Sequence, residues 1–119
     1  LGTKGLDVFF ESDVLITDWS GSSLSFAFAN EKPVLFVDTP RKILNQDYDI
    51  FSNLPLEITI REKIGKIINI EEIEKVPKFV QLLHDNRETW KECIRTERNH
   101  WVYNHGTSAK LGADYIAKL

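Results

Sequence analysis

The chain has 119 residues, 42% hydrophobic and 28% charged, with a formal net charge of −3. That length makes one domain the default and permits a modest core, and the acidic balance argues against a nucleic-acid binder, which carries a basic face. The single cysteine, Cys93, excludes an internal disulfide. No apolar run nears the ~20 residues that span a bilayer, and no signal peptide is visible.

In chain order, Leu1 to Glu11 reads as a lead-in in which Leu6, Val8, Phe9 and Phe10 are buried or partly helical. The runs at 13–17 and 33–37 are uniformly apolar, as expected of parallel strands covered on both faces. Between them, residues 21–31 predict a helix lying against the sheet, ended by Pro33. The turn Asp18-Trp19-Ser20-Gly21-Ser22-Ser23 therefore sits where a strand stops and a helix starts. Helix-start amides carry partial positive charge and favour phosphate, and small residues allow close approach. Ligands of open α/β sheets bind outside the carboxyl ends of the strands. The alternative is an ordinary helix cap, which Ser and Asp also favour.

Residues 38–55 form a long polar connector in which Arg41 and Lys42 could reach an anion or simply face solvent. Leu56-Glu57-Ile58 predicts a brief third strand. Thr59 and Glu62 have capping-box spacing, with Ile60, Ile64, Ile67 and Ile68 marking the face of a following helix. Further helices are expected at 71–84, with Pro77 starting a new turn, and at 86–99, with Trp90, Cys93 and Ile94 inward. Tyr103 to Ser108 reads as a turn, and 108–118 as a last helix with Gly112, Ala113 and Ile116 on one face. Asn104, Gly106, Thr107 and Ser108 could form a second anion-binding helix start or only a cap. Two or three strands give little area for so many helices. An incomplete parallel sheet follows, and with it the carboxyl-terminal portion of a larger α/β domain.

The stretch Ser12-Asp13-Val14-Leu15-Ile16-Thr17-Asp18-Trp19-Ser20-Gly21, followed by Lys32-Pro33-Val34-Leu35-Phe36-Val37-Asp38-Thr39-Pro40-Arg41-Lys42, resembles the CDP-glycerol glycerophosphotransferase family. The ending Tyr103-Asn104-His105-Gly106-Thr107-Ser108 resembles that family's closing Asn-x-Gly-x-Ser turn. The resemblance covers about residues 8–119. It implies a GT-B architecture of two Rossmann-like domains, of which residues 1–119 would be the donor-nucleotide-binding one: a βαβ core with phosphate turn and connector over 1–58 and a helical tail over 59–119. It implies transfer of glycerol phosphate from a CDP-linked donor to an acceptor hydroxyl on teichoic-acid-like or capsular polymers.

On that resemblance, Ser20, Gly21 and Ser22 lie against the donor diphosphate. Asp18 orients the turn or takes a ligand hydroxyl, and Ser23, Arg41, Asn104 and Ser108 complete the candidate substrate-binding set. Ser25 departs from the acidic residue that many members carry on the following helix. The family's catalytic histidines lie upstream, one of them in an acceptor-side domain, so no catalytic residue is expected here. The implied partners are the CDP-linked donor, a missing amino-terminal acceptor domain and a polymer or lipid-linked acceptor. The expected location is cytoplasmic, peripheral at the inner membrane face in the full-length protein. No cofactor or metal is expected: His84, His100 and His105 have no ligand spacing with cysteine or carboxylate, and Cys93 has no thiol partner. Trp90 and Trp101 are read as packing anchors, and burial is expected for Trp19. Rival readings are a GT-B glycosyltransferase using a sugar nucleotide for capsule or lipopolysaccharide, and a non-catalytic α/β interaction module. A truncated sheet would leave an open strand edge near 13–17 and promote self-association.

Overall fold

The computed structural model describes residues 3–40 and 54–119. These form α1 (Thr3–Glu11), β1 (Leu15–Thr17), α2 (Ser22–Asn30), β2 (Val34–Asp38), α3 (Leu56–Thr59), α4 (Arg61–Ile64), β3 (Gly65–Asn69), a 3₁₀ segment (Ile70–Lys75), α5 (Val76–Asp85), α6 (Arg87–Trp101) and α7 (Ser108–Ala117). The strands make one all-parallel sheet in the order β1-β2-β3. The fold is α/β, with a short parallel sheet and helices at its carboxyl-terminal end.

The central strand alternates between two cores. Val34 and Phe36 face a cluster with Phe26 and Ala27 of α2, Ile64 of α4, Ile94 of α6, and Ile60, which joins α3 to α4. Leu35 faces the opposite side, with Ile68 of β3 and Leu83 of α5. Both faces of β2 are thus covered, which is why its sequence is uniformly apolar. At the edge, β1 is less complete. Ile16, in register with Leu35, is 49% exposed. Two side chains, one at the end of α2 and one just beyond it, hold the end of α1 and the residue that follows it. Asn30 donates to the Phe9 carbonyl at 2.9 Å, and Lys32 to the Ser12 carbonyl at 2.8 Å. In α1 only Phe9 packs on the core, while Leu6, Val8 and Phe10 are largely exposed.

The third strand lies elsewhere than the sequence predicts. Residues 56–58 belong to helix α3, started by Pro55, whose fixed φ of −55° suits entry to a helix. The isoleucines read as one helix face divide between two elements. Ile60 and Ile64 pack from the short helices, while Ile67 and Ile68 alternate across β3 to opposite cores. Gly65 forces the change. A Cβ there would collide with the Val34 backbone, so only glycine lets β3 approach β2. Thr59 bonds back to the Leu56 carbonyl instead of capping, and the capping box is formed by Asn69 and Glu72. A strand therefore falls inside the span expected to be a helical tail.

Pro77 lies in the first turn of α5, as predicted. On α6, Ile94 is fully buried and Trp90 packs against both cores. Cys93 is exposed instead of inward, because the position one before Ile94 turns away from the sheet, and Trp101, read as a packing anchor, is exposed at the last residue of α6. No residue of α7 is buried, so Gly112, Ala113 and Ile116 form no packed face among the described residues. The radius of gyration, 16.6 Å, exceeds the ~13.5 Å typical of this length, as an extending helix requires. No described helix is long and apolar enough to cross a membrane.

Candidate functional site

The carboxyl ends of β1 and β2 meet at a pocket of about 60 Å³ lined by Asp18, Trp19, Ser20, Gly21, Ser23, Phe36, Glu57 and Arg61. The polypeptide leaves β1 through Asp18 and Trp19 and enters α2 at Ser22. Trp19 is half-buried, and its indole N–H donates to the Thr39 carbonyl at 2.7 Å, joining the exits of the two strands.

Within the turn, Ser20 organises the backbone. Its carbonyl accepts from the Ser23 amide at 3.2 Å and from the Ser23 hydroxyl at 2.8 Å. Its Oγ accepts from the Ser22 amide at 3.3 Å and lies 2.7 Å from the Ser22 Oγ. Ser23 is buried with its hydroxyl turned onto that carbonyl, which makes it a structural member of the turn. Gly21 occupies the N-cap with no side-chain cap bond, and a Cβ there would meet nothing within 4 Å. With a φ of −62°, its conformation does not require glycine. What glycine provides is an unobstructed approach to the helix start.

Arg61, at the start of α4, is the residue that the sequence reading missed. Its side chain is only 6% exposed. The Nη1 donates to Asp38 Oδ1 at 3.2 Å, at the end of β2. The guanidinium carbon lies 3.8 Å from the centre of the Trp19 ring and 5.0 Å from that of Phe36. Cation–π contact of this kind is strongest where water is excluded. The Nε and Nη2 are buried without a hydrogen-bond partner among the described residues. Orphaned buried donors are uncommon and costly.

A helix start and a buried guanidinium therefore border one concavity, while Asp18 and Glu57 supply exposed carboxylates at its rim. The first two are suited to an anion. The carboxylates suit hydroxyl groups, which donate to them.

The predicted site residues do not all converge. Asp18, Ser20, Gly21 and Ser23 line the pocket, and Ser22 is bonded to Ser20 beside it. Ser25 is exposed on α2. Arg41 and Lys42 lie outside the described residues. Asn104 and Ser108 are exposed and do not line the pocket. Asn104 adopts a left-handed φ of 55°, and its carbonyl takes the Thr107 amide at 2.9 Å, making a closed turn before α7. His105 is likewise exposed there. Among the described residues, no group of three or more histidine, cysteine or acidic side chains is arranged to hold a metal ion.

A sequence signal for Arg61 did exist: it is a cation directly after Ile58-Thr59-Ile60 and three residues before Ile64. Periodicity alone cannot separate such a residue from the solvated face of a helix. Comparison with known proteins returned no matching family model, no matching curated protein and no matching solved structure.

Proposed function

We propose that this chain forms the donor-nucleotide-binding part of a transferase that moves polyol phosphate from a CDP-linked donor to a growing cell-surface polymer. The observation carrying the reading is the shared pocket: the start of α2 and the buried Arg61 border one cavity beyond the carboxyl ends of β1 and β2. In the intact enzyme an acceptor hydroxyl attacks the β-phosphorus of the donor. A new oxygen–phosphorus bond forms, the bond to the bridging oxygen breaks, and CMP leaves with that electron pair. Donors directed at the phosphate stabilise the charge developing there. The residues here would bind and orient the donor, with the base for the acceptor hydroxyl supplied from outside this chain.

The rim carboxylates of Asp18 and Glu57 favour a second donor class as well, because they accept hydroxyls from a sugar as readily as from a polyol. Titration calorimetry with CDP, UDP and GDP separates the two. Preference for CDP supports the polyol-phosphate reading, and preference for UDP or GDP supports a sugar-nucleotide transferase. Absence of heat with all three at millimolar concentration rejects both and leaves the turn as a helix cap.

A further inference from the structure

Resting on the donor-site reading above, we infer that Arg61 recognises the donor through its Nε–Nη2 edge, which gives two parallel hydrogen bonds to two oxygens of one phosphoryl group.

A guanidinium has two edges with paired donors and a fixed spacing that matches carboxylate or phosphate oxygens. Asp38 holds Arg61 by Nη1 alone. The two nitrogens left over, Nε and Nη2, are neighbours on the side edge and point the same way. Both are buried and without a partner among the described residues. An unpaired charged donor in this position costs stability, and an arriving anion that took both would remove the cost. Asp38 anchors one side of the fork, while Trp19 and Phe36 restrict the plane of the guanidinium. The fork is thus preorganised in its orientation.

The second donor set selects the anion. A planar carboxylate has two oxygens, both used by the fork. A phosphoryl group keeps further oxygens for the start of α2, on the same pocket. The rim carboxylates disfavour additional negative charge and favour hydroxyls. The geometry therefore selects a phosphoryl group esterified to a hydroxyl-bearing moiety over a free dianion or a carboxylic acid. Neither fork nitrogen touches water, so the ligand reaches them only as the pocket wall opens. The Trp19 ring over the guanidinium is the part of that wall in closest register.

The test uses the full chain labelled with nitrogen-15, titrated with CDP, inorganic phosphate and acetate. The Arg61 Nε–Hε resonance is followed beside the amides of Ser20 to Ser22 and the Trp19 indole N–H. The expected result is that CDP moves the Arg61 resonance, the indole signal and the turn amides with one saturation curve, while phosphate acts more weakly and acetate leaves all of them in place. Arg61→Lys keeps the charge but not the fork, and is expected to raise the CDP concentration at half-saturation about tenfold. Movement of the turn amides with an unmoved Arg61 resonance overturns the assignment of Arg61 and leaves the donor site standing. An equal response to acetate overturns the phosphoryl selectivity. No movement anywhere with CDP overturns both readings. The wild-type Arg61 signal keeps the result decisive even where the lysine variant fails to fold.

Discussion

Arg61 lies with its guanidinium 3.8 Å from the centre of the Trp19 ring, and this contact joins the turn after β1 to the helix before β3. The two residues are far apart in sequence and meet only because β1 and β3 flank β2 in the sheet. Asp38, at the end of β2, holds the guanidinium from below. The three strand neighbourhoods therefore share one charged side chain.

The ion pair is asymmetric in burial, with Arg61 6% and Asp38 43% exposed. Removing the carboxylate leaves a buried cation unpaired, whereas removing the cation leaves a carboxylate that water can reach. Asp38→Ala is therefore expected to destabilise the chain by about 2 kcal/mol, and Arg61→Met by less than about 1 kcal/mol. Urea unfolding of both variants checks the order. Equal losses would contradict it.

Gly65 and Gly112 make a contrasting pair. Gly65→Ala places a methyl group against the Val34 backbone and is expected to cost about 3 kcal/mol or to abolish folding, since neither strand can retreat without losing the ladder. At Gly112, inside α7, a Cβ meets nothing within 4 Å. Gly112→Ala should raise helix content and change global stability by no more than about 1 kcal/mol. Thermal melts with circular dichroism read both effects.

These glycines also show what was legible in the sequence. The two apolar runs around Asp18–Ser23 identified β1, α2, β2 and the position of the turn, because local pattern and tertiary role agree there. They disagree from Leu56 to Asn69. Isoleucines spaced for a helix serve two short helices and a strand, and the deciding contact is between Gly65 and Val34, distant in sequence. The local signal at Arg61 could not be told from a solvated helix face for the same reason: its burial depends on Trp19, Phe36 and Asp38, none of which is local to it. Asn104 and Ser108, singled out by the closing turn, do not line the pocket, and Arg41 lies outside the described residues.

Glu31 ends α2 in a left-handed conformation with φ 55°, a region that favours glycine or asparagine and is unfavourable for glutamate by about 1 kcal/mol. Its carboxylate accepts from Arg95 Nε at 2.6 Å and from Arg98 Nη1 at 3.3 Å, fastening α2 to α6. Burial raises the Glu31 pKa, but the hydrogen bonds and positive charges of Arg95 and then Arg98 outweigh it, so the group lies below its ordinary value. A depressed carboxyl contributes stability that is complete above its unfolded pKa and is lost as pH falls through the folded one. Wild type should therefore lose more stability than Glu31→Gln as pH is lowered from about 5 to about 3. Parallel curves would show that the pair does not fasten the helices.

At the sheet edge, β1 pairs only with β2 among the described residues, and Ile16 is half exposed beside that edge. Such edges invite pairing with another chain, and a lysine blunts them. The wild-type chain is expected to self-associate with rising concentration, and Ile16→Lys to shift it toward monomer. Sedimentation velocity measures this directly. An identical distribution for both proteins would place any association elsewhere.

The most direct test of the donor-site reading is a map of backbone amide shifts on addition of CDP, made on wild type and on Gly21→Val. Because a side chain at position 21 points into open space, the variant should fold normally while obstructing the helix start. The expected result is a set of wild-type shifts centred on Ser20, Gly21 and Ser22 that the valine variant weakens at least tenfold. Shifts centred away from this turn, or unchanged by the valine, would contradict it.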